Sequence, residues 1–546
     1  MKGLTLLAVV IMLVQSTFAG GILTNTNQST QFVRMLSRNA STDLDAVYFN
    51  PAGLTQLENG FYFGLHNQSI FQDRTITSGF PYLNDSIYKG ELLVPVFPTA
   101  FAVYKLNNWA FSVGFGPNVG GGSIKYNNGL PSFEKLISSI PAELSSNRIP
   151  TSEYSSNIQF EGSSVFWGAQ LNGSYAINDV ISVSAGVRVI MANNTYNGYL
   201  KDIKINPNQP AIGASYTGEM VSATEFFAAG NTFLKGMATN STAVSTGLTN
   251  AINGGTPPTT PLSDLPPATV SAVTQLLGAA GISATGMNIG TAAATLTAAA
   301  ASFDATATMM ETNSLATADM TVDTKQTGTG FTPIIGIDIH LDKLNIGLKY
   351  EHQTVLKLTN TTVVDGTGLF TDGEENRSDL PSIIAAGADY MATDKLKVSG
   401  SFTMFLDKNI GWGGNVYKQE RTIDKNSMEI AFGLEYKLTD NFALSAGYMN
   451  SKIGVSEQFQ SDFSFGNNYN TAGLGFQWNL NDRLVIDAGA TLITYKDATK
   501  TFTADFDELA DKFGEYNETY GNETFTVAFG IGYKIMEFKT KRRRRR

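Results

Sequence analysis

VISVSAGVRVIM, Val180 to Met191, is the stretch on which the fold turns. Ile181, Val183, Ala185, Val187, Val189 and Met191 fall on one face, and Ser182, Ser184, Gly186 and Arg188 on the other. A period of two belongs to a strand, whose successive side chains point to opposite sides. LNIGLKYEHQ (Leu344 to Gln353) repeats it, with Leu344, Ile346, Leu348 and Tyr350 against Asn345, Gly347, Lys349 and Glu351. MEIAFGLEYKL (Met428 to Leu438) does so again, with Glu429, Gly433, Glu435 and Lys437 on the polar face. One face apolar and the other charged also suits a sandwich, so the pattern alone leaves two architectures open.

The connections separate them. Very short turns near Asn107, Ile177, Leu341, Ala392, Leu438 and Leu480 alternate with long connections over about 75–91, 119–156, 201–322, 360–379, 409–426, 454–465 and 497–522. Strict short-long alternation is the layout of a transmembrane antiparallel β-barrel with tight periplasmic turns and large extracellular loops. The rhythm gives about fourteen strands, an even number as a single-chain bacterial barrel requires. Segments of ten or more residues suit a tilted bilayer span, and closure satisfies every edge hydrogen bond in lipid. The composition agrees: 34 Phe, 21 Tyr and 53 Gly in 546 residues with 16% charged fit aromatic-girdled strands better than a helical or α/β enzyme.

The N-terminus, MKGLTLLAVVIMLVQSTFAGG, has one lysine, an apolar run from Leu4 to Val14 and small residues for cleavage after Ala19, so residues 1–19 read as a signal peptide. Beyond it no apolar run is long enough for a helical span. With no cysteine there is neither a disulfide framework nor a thiolate metal site. A net charge of -10 excludes a nucleic-acid footprint, which needs a basic face. The basic run 539–546 is a tail. The only histidines are His66, His340 and His352, and no nucleophile-base pair, phosphate loop or metal-ligand cluster accompanies them, so no enzyme, cofactor or metal is expected.

Residues 20–58 precede the first strand and are too few to fold alone. A fourteen-stranded lumen left empty would be a water channel, so these residues are expected inside as a plug, with the barrel proper over 59–538. The insertion at 201–322 is rich in Ala, Thr, Ser and Gly; it has helical periodicity from Ser222 and from Ala268, divided by Pro257, Pro258, Pro261, Pro266 and Pro267. SFEKLISSIPAELSS from Ser132 is a shorter helical piece in the second long loop.

NASTDLDAVYFNPAGL, ending at Leu54 and followed by an aromatic first strand, resembles the N-terminal hatch of the FadL/TodX family of outer-membrane transporters. Asn50, Pro51 and Ala52, followed by Gly53, match that family's Asn-Pro-Ala motif. A second match is WAFSVGFGPNVGGG, Trp109 to Gly122. Trp109, Phe111, Val113 and Phe115 face lipid, then Gly116, Pro117, Asn118 and Gly120 interrupt the strand, where proline cannot donate and glycines invite a bulge. The resemblance implies a kinked strand beside a lateral opening, through which hydrophobic ligand leaves into outer-membrane lipid. It implies passive uptake of long-chain fatty acids or hydrocarbons by a monomer in the Gram-negative outer membrane, inserted by the barrel-assembly machinery. The last strand, FTVAFGIGYKIMEF, carries the aromatics of such an assembly signal, although eight residues follow it.

Among inward positions, Arg188 or Lys349 are candidates to hold a carboxylate, and Phe166, Phe405 and Met449 to touch an apolar tail. Other inward charges, Glu351, Lys397, Glu429, Glu435, Lys437 and Asp487, would equally line a porin for polar solutes, the alternative reading. A plug with an Asn-Pro-Ala turn discriminates, because an open porin does not need one.

Overall fold

The computed structural model describes residue 22 and residues 24–410, 423–505 and 507–536; the expected signal peptide (1–19) and basic tail (539–546) lie outside them. The chain divides into two compact units.

The first unit is a closed antiparallel barrel of fourteen strands. In chain order they are β1 (Gly60–Ser78), β2 (Ile87–Leu106), β3 (Trp109–Tyr126), β4 (Tyr154–Ala176), β5 (Ile181–Ile205) and β6 (Met320–Leu341). There follow β7 in two pieces (Leu344–Glu351, Lys357–Asp365), β8 in two pieces (Glu375–Arg377, Ile383–Met391), β9 (Leu396–Phe405) and β10 (Ser427–Thr439). The last are β11 (Phe442–Lys452), β12 (Tyr469–Asn479), β13 in two pieces (Leu484–Tyr495, Ala498–Phe502) and β14 (Tyr516–Met536). Sequential strands pair, and β14 returns to β1 in continuous register from Gly60↔Met536 to Ser78↔Glu518, which removes both edges. β4 and β5 run 23 and 25 residues, well beyond a bilayer crossing, so the pairing continues past the membrane before the long loops begin.

The alternation read from the sequence is the wall's inside-outside pattern. In β5, Ile181 and Met191 are exposed while Ser182, Ser184 and Arg188 are buried. Outward positions form a broad apolar surface in which Leu65 is 69% and Leu474 66% exposed, a load that no soluble monomer leaves in water and that a bilayer accepts. Aromatics gather at the short-turn end: Phe61 stacks on Tyr104 at 4.3 Å and Trp109 packs on Tyr175 at 4.6 Å, the girdle that amphipathic rings form at a membrane interface.

The described residues before β1 pack against inward-facing residues of these strands. They form α1 (Thr30–Met35), α2 (Ala46–Phe49) and a 3₁₀ helix, Pro51–Gln56. Ser29 caps α1 by accepting from the Phe32 N–H, and Leu36 ends it in the left-handed region.

The second unit comprises Lys135–Asn157 and Leu200–Met320. The stretch from Ser132 forms α3 (Pro131–Ser138) and α4 (Ile140–Ser146), with Pro141 in the first turn of α4. The helix expected from Ser222 is α5 (Ala223–Asn253), capped by the Ser222 hydroxyl accepting from the Glu225 N–H, and the one expected from Ala268 is α6 (Pro267–Ala279). A third, α7 (Ile289–Ala316), was not anticipated, because its alanines and threonines give little apolar period. Leu248, Leu276, Leu277, Leu296 and Phe303 form the core of this helical unit.

Candidate functional site

The segment from Thr24 to Thr55 is almost wholly buried although much of it is polar, so its hydrogen bonds have to be found inside the barrel. Many are internal. The Arg38 guanidinium grips Asp45 through two bonds (2.8 and 2.7 Å), and Ser29 and Ser41 donate to the same carboxylate. Burial opposes the Arg38 charge, but Asp45 and Asp43 outweigh it and raise its pKa above the usual arginine value. The rest go to the wall. Arg34 bonds Asp487 (2.9 Å) on β13 and Glu435 (2.5 Å) on β10, and Lys397 adds a second cation to Glu435.

The Asn-Pro-Ala motif is a corner fixed at both ends. Asn50 has an irregular backbone between α2 and the 3₁₀ helix that begins at Pro51, and its amide donates to Ser41 O (3.1 Å) and to Asp338 (2.7 Å) on β6. Ser174 on β4 donates to Pro51 O, and Thr55 bonds Ser182 on β5. Ala52 and Gly53 are buried within the turn.

Close approach of this segment to the wall depends on inward glycines. A Cβ on Gly447 would stand 1.9 Å from Met35 O, and one on Gly347 2.2 Å from Asn39 O, both backbone atoms that cannot move aside cheaply. Inward glycines such as Gly347 and Gly447 are thus the bed in which the segment lies.

On the β2 side of Pro117 the ladder fails as the sequence implied. β2 and β3 pair from Leu106↔Trp109 to Ala100↔Phe115 and again from Leu92↔Ile124, with no pairing between. On the β4 side the expectation is corrected: β3 stays paired past Pro117, through two bulges, because each bulge lets the ladder skip a residue. Gly120 adopts φ +61°, and a Cβ there would lie 2.1 Å from Ser164 O. β2 contributes to the break with Pro95 and Pro98, a signal present in the sequence but passed over. The Pro95 carbonyl accepts instead from Ser69 (2.8 Å) on β1, where that ladder has a bulge.

The β3 carbonyls freed by the gap are taken up from within. Asn25 N–H donates to Asn118 O (2.7 Å), the Asn25 amide to Gly120 O (2.7 Å) and the Gln28 amide to Pro117 O (2.8 Å), while Thr24 bridges Val119. Residues 24–28 therefore stand in for the missing neighbour strand. Neither Asn25 nor Gln28 was singled out in the sequence.

The candidate ligand residues fall in separate places. Arg188 and Lys349 converge on one carboxylate, Glu351: Arg188 through 2.6 and 3.1 Å bonds, Lys349 at 2.6 Å. Both also lie over the Tyr48 ring, Arg188 bonds Gln170, and Lys349 donates to Tyr48 O. Their charge thus locks α2 to the wall. Phe166 packs with Ile22 and Val119 beside the gap, and Met449 packs with Phe32 and Phe49 of the inner segment. Phe405 is buried but joins neither group.

A larger apolar cluster lies above the segment. Val94 and Phe97, from the stretch of β2 not paired with β3, join Ile124, Phe160, Phe463 and Phe465, and the Phe160 and Phe463 rings meet edge-on at 5.3 Å. Apolar walls with few polar groups are the composition of a site for a hydrophobic small molecule.

The fold is similar to that of a FadL homologue. That structure, from Pseudomonas aeruginosa, matches at a TM-score of 0.56 and 13% identity, over 95% of this chain and 100% of its own. Toluene transporters align less closely: TodX of P. putida at a TM-score of 0.47, 12% identity and 91% and 95% coverage, and TbuX of Ralstonia pickettii at 0.43, 13%, 90% and 94%. No protein-family model matches the chain, and no curated protein matches it in sequence.

Proposed function

We propose that this chain is an outer-membrane channel admitting hydrophobic small molecules by diffusion, with residues 24–57 as a hatch and the β2/β3 gap as a lateral exit. The observation that carries this reading is the interrupted β2/β3 ladder, whose freed carbonyls are held by residues 24–28 rather than by a strand. A strand-strand contact would have to be broken along its whole length to open. A latch of a few side-chain bonds does not.

The path runs from the apolar cluster to the gap, since Val94 and Phe97 belong to both. Lateral exit is the favourable direction, because an apolar ligand gains about 25 cal/mol per Å² by leaving water for lipid. The fold shared with a FadL homologue supports the same reading. A porin for polar solutes is disfavoured by the buried segment 24–55, salt-bridged to inward residues of the strands. The test is uptake by cells carrying the protein, using a labelled alkane and a labelled sugar. Uptake of the alkane without the sugar is expected; sugar passage with no effect on the alkane overturns the reading.

A further inference from the structure

The β2/β3 gap has an outer side as well as an inner one. Beyond it on β2, Ala100, Ala102 and Tyr104 face lipid and are half-buried, alternating with the buried Thr99, Phe101 and Val103. Register sets each alanine between two larger residues. Ala100 stands opposite Leu65 on β1 and Phe115 on β3, and Ala102 opposite Phe63 and Val113. The flanking side chains, all exposed, rise on both sides of the two methyl groups. The outcome is a trough one strand wide, floored by alanine and walled by apolar side chains.

Its two ends are defined. At the head, Pro98 lies in the stretch without a β3 partner, so Ala100 is at once the first residue paired beyond the gap and the first residue of the floor. At the foot, Tyr104 rises from the floor and stacks on Phe61 at 4.3 Å, within the aromatic girdle of the short-turn end. From Pro98 to Tyr104 the strand advances about 20 Å. Ala102 and the foot line a groove of about 800 Å³ that extends over Gly173 on β4 and Ala185 on β5, a volume within the range of small-molecule sites. The backbones of β1 and β3 stand about 9–10 Å apart, two interstrand spacings. A chain touching both walls takes up about 7–8 Å, twice the carbon contact distance, which leaves no room for a branch.

We propose that this trough receives the ligand as it leaves the gap, one unbranched alkyl chain at a time, and conducts it along the outer wall to the periplasmic side of the bilayer. The inference rests on the lateral-exit reading and adds the ligand's next site and its shape. Lipid is as apolar as the trough, so the trough acts by shape and contact rather than by affinity: each methylene leaving the gap meets wall atoms on both sides. Continuity with the gap makes the occupant the departing ligand rather than a resident phospholipid chain.

β13 supplies the control. Ala488 lies between Phe476 and Phe529, and Ala490 between Leu474 and Val527, an alanine floor of the same make in ladders that run unbroken. The test is uptake of labelled dodecane and of pentamethylheptane, its branched isomer, by cells carrying the full chain. Wild type should take up dodecane about fivefold faster than the branched isomer, and Ala102→Phe, which fills the trough, should slow dodecane by about the same factor. Ala490→Phe should leave uptake at the wild-type rate. Should Ala102→Phe fail to fold, Ala102→Val decides, with a smaller slowing expected. Equal uptake of the two isomers, no slowing by either Ala102 substitution, or equal slowing by Ala490→Phe overturns the trough and leaves lateral exit into bulk lipid standing. Wild-type uptake no faster than that of cells lacking the protein overturns the channel reading as well.

Discussion

The hold of residues 24–28 on the open strand is small enough to be tuned. Asn25→Ala with Gln28→Ala removes the amide bonds to Gly120 O (2.7 Å) and Pro117 O (2.8 Å) and keeps the backbone bond to Asn118 O. Each net bond contributes about 1 kcal/mol, so the pair should shift the latch by about 2 kcal/mol, or about thirtyfold in its opening equilibrium. A latch open about 1% of the time would become open about a quarter of the time. Hydrogen exchange in detergent reads this directly, because amides protected by a local opening exchange in proportion to the open population. The Asn25 backbone amide, which donates to Asn118 O, should exchange about thirtyfold faster, while those in the β1/β14 ladder, which the substitutions do not touch, stay at the wild-type rate. Equal acceleration at Asn25 and in the β1/β14 ladder, or none at Asn25, would refute the reasoning, for the segment would then be welded to the wall by its other contacts.

Gly447→Val places side-chain atoms against Met35 O and should expel the inner segment, making residues 24–57 sensitive to limited proteolysis. Gly400→Val, where a Cβ meets nothing within 4 Å, is the control and should leave the segment protected. Arg34→Met strips Asp487 of its cation inside the lumen and should lower stability in a urea titration by about 3–5 kcal/mol, with Asp487→Asn in the same chain restoring part of the loss. Leu474→Arg, on the most exposed apolar surface, should cost about 2–4 kcal/mol of folding stability in lipid vesicles if that position sits near mid-bilayer. An unchanged folding equilibrium in vesicles would remove that face from the membrane.

How far the sequence reached depended on the range of the interaction. Alternation in Val180–Met191 and the spacing of short turns are local, and they delivered the barrel, its strand number and the inward position of Arg188. Pro117 was legible because proline acts on its own strand. Its counterparts Pro95 and Pro98 carried the same signal in β2 and were missed only because that strand was not read as closely. The fate of Arg188 and Lys349 was not legible. Both meet Glu351, on β7 with Lys349 but across the barrel register from Arg188, and that pairing follows from strand register, which a single bulge resets. Gly347 was visible as an inward residue, yet its purpose, like that of Gly447, appears only when the Asn39 and Met35 carbonyls are seen resting on them. α7 escaped because a helix of Ala and Thr buries one face against α5 with almost no hydropathy contrast.

The central claim, that a segment within the lumen closes a gap in the wall and has to release it for transport, is open to a covalent test in a chain with no cysteine of its own. Thr24 and Val119 are bridge partners. Opposed antiparallel residues stand about 4.5–5.5 Å apart at Cα, within the reach of a disulfide. With Thr24→Cys and Val119→Cys together, the account predicts that oxidation abolishes uptake of a hydrophobic tracer and that dithiothreitol restores it. Uptake at the wild-type rate through the fully oxidised protein would contradict it.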